Sequence, residues 1–356
     1  MPSCIKSLCA AFLAVLVFCA LFLPCSALET IPSVSAQSAV LMEADSGRII
    51  YEKNARIRMP MASTTKIMTA WVALESGDPD VTVTVDPRAV GVEGSSVYLK
   101  VGEKMTLREL VYCLMLASAN DAAAAIAYHI SGSIEGFSAL MNQKAAALGL
   151  VNTHFENPHG LDSESHYTTA EELAIITSHA LKNAELAEIV STNAKTVESD
   201  ISQHALFNHN KLLRSYKGCV GVKTGYTKRC GRCLVSAAER GGLTLICVTL
   251  SAPDDWNDHT RLLDYGFAHY RAEILCRPYQ SFFEMPVVSG ESGRLLCVTP
   301  DSLSYPVTGE QKLTWVVECH RFAWKMPKNG ARVGRVVFYL EGKPVAEAEL
   351  TAFILN

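Results

Sequence analysis

Ser63-Thr64-Thr65-Lys66 places a serine hydroxyl and a lysine amine three residues apart. On a helix that spacing puts both side chains on one face, close enough for the amine to take the hydroxyl proton. A lysine can do this only when burial lowers its pKa, and Ile67 and Met68 supply apolar neighbours. Ser118-Ala119-Asn120 adds a second hydroxyl and a carboxamide. In extended backbone residues two apart point to the same side. The hydroxyl could relay a proton and the amide could orient a carbonyl. Lys223-Thr224-Gly225 reads as a strand end with a cation and a hydroxyl that could hold a carboxylate. Gly225 would let an extended substrate approach the strand edge. The N–H of Tyr226 could join that of Ser63 around a developing oxyanion. Together these groups suit acyl transfer on a peptide with a free terminal carboxylate, or on a β-lactam that imitates one.

Each string alone is cheap. Ser3-Cys4-Ile5-Lys6 repeats the first spacing, and Ser191-Thr192-Asn193 repeats the second. The weight lies in their joint order and in the elements that must position them. Pro60 opens a helix that runs to about Glu75, before Gly77. Leu107–Leu116 and Asp121–Ile130 read as apolar helices joined across Ala117–Asn120. Phe137–Leu148 and Thr169–Leu181 are further helices, separated by a polar loop over 153–167. His159 in that loop is read as a bracing residue, since a lysine base is at hand. Ser38–Met42 and Ile49–Tyr51 read as strands about the turn Asp45-Ser46-Gly47. Cys219–Thr224, Cys233–Ala238 and Leu243–Leu250 read as a β-meander, with Gly241-Gly242 as its second turn. Arg261–Tyr270 reads as a closing helix. The order β, helices, β predicts first and last strands sharing one antiparallel sheet with helices packed on it. Beyond Cys276 only short strands and turns follow, which predicts a separate small β domain.

The chain has 356 residues, 49% apolar and 19% charged, with net charge -4. That balance disfavours nucleic acid or an anionic membrane as a general partner, and leaves membrane association open only as a local feature. Residues 1–27 read as an export signal: Lys6, an uncharged apolar run Leu8–Leu23, then Pro24 and the small residues Ser26 and Ala27. Four of the 12 cysteines fall there. Cys230-Gly231-Arg232-Cys233 has redox or zinc spacing but no second ligand pair, so buried thiols are the expected state and no metal site is read.

With their surroundings, these strings resemble the low-molecular-mass penicillin-binding proteins, the serine-type D-alanyl-D-alanine carboxypeptidases. The resemblance rests on 60–70 around Ser63, on Ser118-Ala119-Asn120-Asp121-Ala122-Ala123, on Asn157-Pro158-His159-Gly160-Leu161-Asp162, and on Gly221-Val222-Lys223-Thr224-Gly225-Tyr226-Thr227. The stretch 228–259 is most similar to sporulation-associated Gram-positive members. The resemblance implies an α/β (α+β) penicillin-recognising fold over 28–272 and a small C-terminal all-β domain over 276–356. It implies Ser63 as acylated nucleophile, Lys66 as base and Ser118 as proton shuttle. It implies Asn120, Lys223, Thr224, Gly225 and Tyr226 as substrate-binding residues. It further implies a peptidoglycan stem peptide ending in D-Ala-D-Ala as substrate, β-lactams as covalent inhibitors, and no cofactor. The expected location is outside the cytoplasmic membrane.

Some features depart from the family's pattern. Its arginine before the closing helix has no counterpart in Asp254–His259, and Arg261 is out of register. Phe353–Asn356 is β-like, with no amphipathic anchoring helix. Arg229-Cys230 beside the Lys-Thr-Gly strand has no evident reason. A β-lactamase remains an alternative, with Glu156 or Glu164 as a deacylating group, and so do a transpeptidase, an endopeptidase and a non-catalytic cell-wall-binding protein.

Overall fold

The structure is a computed structural model, and it describes residues 31–290, 293–309 and 311–355. The leader read at 1–27 lies outside the described residues. Residues 34–356 form one compact unit.

Two strands begin it, β1 (Ser38–Glu43) and β2 (Ile49–Lys53). Six helices follow: α1 (Lys66–Glu75), α2 (Leu107–Leu116), α3 (Asn120–Ser131), α4 (Ile134–Ala147), α5 (Ala170–Ala180) and α6 (Ala184–Ser191). Two short ribbons lie among them, β3 (Thr82–Thr84) with β4 (Lys104–Thr106) and β5 (Ala194–Glu198) with β6 (Gln203–Phe207). After a single turn, α7 (Leu212–Ser215), the meander β7 (Cys219–Thr227), β8 (Gly231–Arg240) and β9 (Leu243–Leu250) leads to α8 (Asp255–His269). The central sheet is antiparallel, in the order β2-β1-β9-β8-β7. The first strand thus sits beside the last strand of the meander.

Strand alternation puts apolar side chains on both faces of this sheet. Val40, Met42, Val235, Ile246 and Val248 join the large core with α1 to α6. Ala39, Leu41, Leu234, Leu245 and Cys247 meet α8 through Leu262 and Leu263. Burial of this apolar area is the main driving force. Local signals set the helix ends. Thr106 and Glu109 form a reciprocal capping box at α2. Gly132 ends α3 in the left-handed conformation at φ +75°.

Two expectations are corrected. The helix expected from Pro60 is a 3₁₀ turn over Ala62–Thr65 before α1 begins at Lys66. Thr64 Oγ1 donates to Met61 O and Thr65 Oγ1 to Ala62 O. These local bonds compete with regular helix. The closing helix starts at Asp255 rather than Arg261. Its acidic first turn looked like loop in the sequence, yet acidic groups are favoured at a helix N-terminus. Asp258 there accepts from Ser35 N, Ser35 Oγ and Ala36 N.

Beyond α8 the chain runs straight into β10 (Tyr270–Cys276), which pairs with β13 (Leu303–Thr308). The boundary expected near 272–276 falls within that strand. The remaining strands, β11 (Ser281–Met285), β12 (Arg294–Val298), β14 (Leu313–Cys319), β15 (Arg332–Leu340) and β16 (Lys343–Leu355), form an antiparallel sheet in the order β11-β12-β16-β15-β14. It encloses its own apolar cluster around Leu295, Cys297, Val336, Phe338 and Leu350.

Candidate active site

Ser63 sits in the 3₁₀ turn, and two glycines let the backbone close around it. Gly160 has φ +87°, and a Cβ there would stand 2.0 Å from Ala62 O. A Cβ on Gly225 would stand 3.0 Å from Ser63 N. Gly225 therefore makes room first for the protein's own Ser63 turn, a tighter constraint than the open strand edge the sequence suggested.

Lys66 is fully buried, and its Nζ has three neighbours. It lies 3.0 Å from Ser63 Oγ, 2.7 Å from Asn120 Oδ1 and 2.5 Å from the backbone oxygen of His159. Two of these are carbonyl oxygens, which only accept. A neutral amine has two N–H donors and one lone pair. With both donors committed to Asn120 and His159, the lone pair is left facing the Ser63 hydroxyl. Electrostatics favour that neutral form. Burial pushes the Lys66 amine well below the ordinary lysine range, and the charge of Lys223 pushes the same way. Asp121 opposes them as a smaller influence.

His159 acts in this geometry through its carbonyl. The half-buried His159 is held neutral, pushed down to about 3 first by desolvation and then by Lys66. The loop that presents the carbonyl is braced: Gly160 N donates to Asn157 Oδ1, Asn157 Nδ2 to Leu161 O, and Thr69 Oγ1 to Pro158 O. The bracing role read for His159 thus falls to its neighbours Asn157 and Thr69.

Asn120 is the first residue of α3, and its carboxamide is engaged at both ends. Oδ1 accepts from Lys66, while Nδ2 donates to Glu93 O at 2.5 Å. One Nδ2 hydrogen remains for a substrate. Ser118 takes left-handed backbone at φ +59°. The extended-strand argument for Ser118 and Asn120 therefore fails, and a tight inter-helix turn aims the two side chains instead.

Lys223 on β7 is 1% exposed, and its Nζ donates to Thr224 O at 2.9 Å. Burial lowers its amine to about 7. Its charge is therefore sensitive to pH near neutrality.

A cavity of 580 Å³ opens over these groups, lined by Ser63, Ser118, Thr224, Gly225 and Tyr226. Residues the sequence reading missed complete it: Ser95, His209, Arg232, Asp255 and Trp256. Arg232 stands opposite Tyr226 in the β7–β8 register, and in an antiparallel pair opposed side chains share a face. Its Nη2 lies 2.8 Å from Asp255 Oδ1. That pairing depends on the approach of α8 to the sheet, which no local string records. Another missed residue, His166, holds the nucleophile turn from behind. Its Nδ1 accepts from Glu156 N, so Nε2 carries the proton and donates to Thr65 Oγ1 at 2.7 Å.

The structure also accounts for Arg229-Cys230. The Cys230 thiol is buried and lies 3.2 Å from Asp162 Oδ1, and Cys230 N donates to Thr227 Oγ1. Arg229 reaches Ser163 O. The pair ties the β7–β8 hairpin to the loop that carries His159. Cys233 is a core thiol.

Known proteins share this arrangement's sequence and fold. The D-alanyl-D-alanine carboxypeptidase family of S11 peptidases matches residues 26–254. The chain is 34% identical over 333 residues to D-alanyl-D-alanine carboxypeptidase DacF of Bacillus subtilis, covering 89% of this chain and 85% of that protein. It is 31% identical over 339 residues to DacA of Escherichia coli, covering 90% and 83%. Penicillin-binding protein 5 of Haemophilus influenzae superposes with TM-score 0.78 at 28% identity, over 92% of this chain and 99% of that one. The Streptomyces K15 DD-transpeptidase superposes with TM-score 0.64 at 37% identity, over 67% of this chain and 99% of that one. With a family match over more than half its length and relatives of this likeness along most of it, the chain belongs to the S11 family of D-alanyl-D-alanine carboxypeptidases.

Proposed function

We propose that this chain removes the terminal D-Ala from peptidoglycan stem peptides through an acyl-enzyme on Ser63. The observation that carries the assignment is the buried Lys66 amine 3.0 Å from Ser63 Oγ and held on two carbonyl oxygens; in its neutral form these leave the lone pair for that hydroxyl. The Ser63 proton passes to Lys66 as Oγ bonds to the carbonyl carbon of the penultimate D-Ala. The N–H groups of Ser63 and Tyr226 stabilise the oxyanion. As the C–N bond breaks, the proton reaches the leaving amine by way of Ser118. Water then attacks the ester and gives a proton to Lys66; as the bond from the acyl carbon to Ser63 Oγ breaks, Lys66 returns that proton to Oγ and the shortened peptide leaves. Thr224 and Lys223 hold the terminal carboxylate. Asn120 positions Lys66 and offers its second amide hydrogen to the substrate. A β-lactam would acylate Ser63 by the same route.

Glu156 and Glu164 are both exposed, and neither is among the residues lining the cavity. That arrangement disfavours the β-lactamase alternative, which needs a carboxylate beside the acyl bond. Action outside the cytoplasmic membrane, after removal of residues 1–27, is the setting this substrate requires. Among the described residues no helix is long and apolar enough to cross a membrane.

The test is D-Ala release from diacyl-Lys-D-Ala-D-Ala, with Ser63→Ala as the control. Release by the parent and none by the variant supports the assignment. A folded parent that releases nothing contradicts it.

A further inference from the structure

The segment 320–331 leaves edge strand β14, crosses an end of the C-terminal sheet and returns to β15. Its middle is pinned to the chain leaving the opposite edge strand, β11. Ala323 N donates to Pro286 O, and Val288 N donates to Ala323 O, both at 2.9 Å. Phe322 and Trp324 flank the pinned residue and lie two apart, so in extended backbone they project to the same side. Both stand in solvent, at 44% and 74% exposure, with ring centroids 5.3 Å apart. Trp315 and Val316 on β14 are exposed as well.

The charges around this patch are unusual. Arg321, Lys325 and Lys328 are exposed, and none has an ion-pair partner among the described residues. Among the described residues, acidic groups on the strands of this sheet are already engaged: Glu318 and Glu347 by Arg335, Glu349 by Arg332, and Glu284 by Arg294. The whole chain carries net charge -4, so this positive strap runs against the general balance. A cluster of exposed aromatic rings on a soluble surface marks an interaction site. Aromatic rings bracketed by Arg and Lys match the interfacial region of a bilayer, where rings sit at headgroup depth and cations meet lipid phosphates. The two rings meet edge to face, at 87°, and so do not share a flat platform of the kind a sugar would stack on.

We propose that the strap 320–328 docks this protein on an anionic lipid surface. Phe322 and Trp324 enter the headgroup region, while Arg321, Lys325 and Lys328 contact phosphate. Binding is weak, reversible and salt-sensitive.

The experiment is co-sedimentation of residues 28–356 with vesicles. This form contains the compact unit 34–356 and omits the apolar leader, which would itself partition into lipid. Vesicles of phosphatidylglycerol and phosphatidylcholine should pellet the protein at low salt. Phosphatidylcholine alone, or high salt, should not. Each cation near an anionic surface contributes about a fivefold factor, so Arg321→Gln/Lys325→Gln/Lys328→Gln should weaken partitioning roughly 100-fold. Phe322→Ser/Trp324→Ser should also weaken it, while both variants keep the parent's thermal midpoint and its turnover of a soluble substrate. Absence of binding by the parent overturns the proposal. So does binding unchanged in both variants, or binding to isolated peptidoglycan without binding to lipid.

Discussion

Asn120 Oδ1 accepts a 2.7 Å hydrogen bond from Lys66 Nζ. The carboxamide thereby fixes which way the buried amine points without giving it a charge to neutralise. Asn120→Asp would place a carboxylate at that distance and raise the Lys66 pKa. A raised pKa keeps the amine protonated to higher pH, so the acid limb of kcat/KM should move upward. Asn120→Ala should instead lower kcat by roughly 100-fold through misplacement of the base. pH–rate profiles of the two variants check this. An unmoved limb in Asn120→Asp would show that Lys66 does not govern it.

The opposite limb belongs to Lys223. Its pKa is lowered to about 7, so the amine loses its charge as pH rises through neutrality. An anionic substrate terminus is then bound less well, and kcat/KM should fall by up to about tenfold per pH unit above that point. A substrate ending in an uncharged amide should lack this limb. An alkaline limb of equal size with that substrate would contradict the assignment.

The nucleophile turn should tolerate no side chain at Gly160. A Cβ there would meet Ala62 O at 2.0 Å, and φ +87° is strained for any L residue. Gly160→Ala should cost roughly 3 kcal/mol or more and abolish acylation. Gly225→Ala, with its closest approach at 3.0 Å, should fold with a smaller loss but acylate slowly. Thermal midpoints and penicillin-labelling rates of the two variants separate these effects.

Much of this site was legible because its chemistry is local. Ser63 and Lys66 are one helical turn apart, and Lys223 and Thr224 are adjacent on one strand, so short strings record them. Arg232, Asp255 and Trp256 were not legible, because they meet only through strand register and the packing of α8. The His159 carbonyl was invisible for another reason: a backbone atom leaves no signature in residue type, and the ring drew attention instead. Ser118 and Asn120 were found by spacing, although the extended geometry assumed for them is absent. The fold followed from the same logic. Strong apolar periodicity marked α2, α3 and β9, while α6 and the β5–β6 ribbon, short and polar on one side, left too weak a pattern.

Two buried histidines, His166 and His259, and the half-buried His159 should make the protein acid-sensitive. Burial holds His159 and His259 down to about 3 and His166 to about 4. His259 is neutral between Ser236 Oγ and Thr249 Oγ1. Each has a folded pKa below its unfolded value of 6.5. The unfolded chain therefore binds more protons as pH falls below that value, and stability declines with it. Each histidine contributes a loss of up to ~1.4 kcal/mol per pH unit until its folded pKa is reached. The depressed amines of Lys66 and Lys223 already make stability fall as pH drops through neutrality, and thermal midpoints should drop more steeply below about pH 6 as the histidines add to that slope. A midpoint unchanged down to pH 4 would contradict this.

The most direct test of the central claim is to map the covalent adduct formed with benzylpenicillin. Intact-protein mass spectrometry should show one equivalent of drug, and digestion should place it on Ser63. Ser63→Ala should show none, and Lys66→Met should react at least about a thousandfold more slowly. An adduct on Ser118 or another residue, or none on a folded parent, would contradict the account.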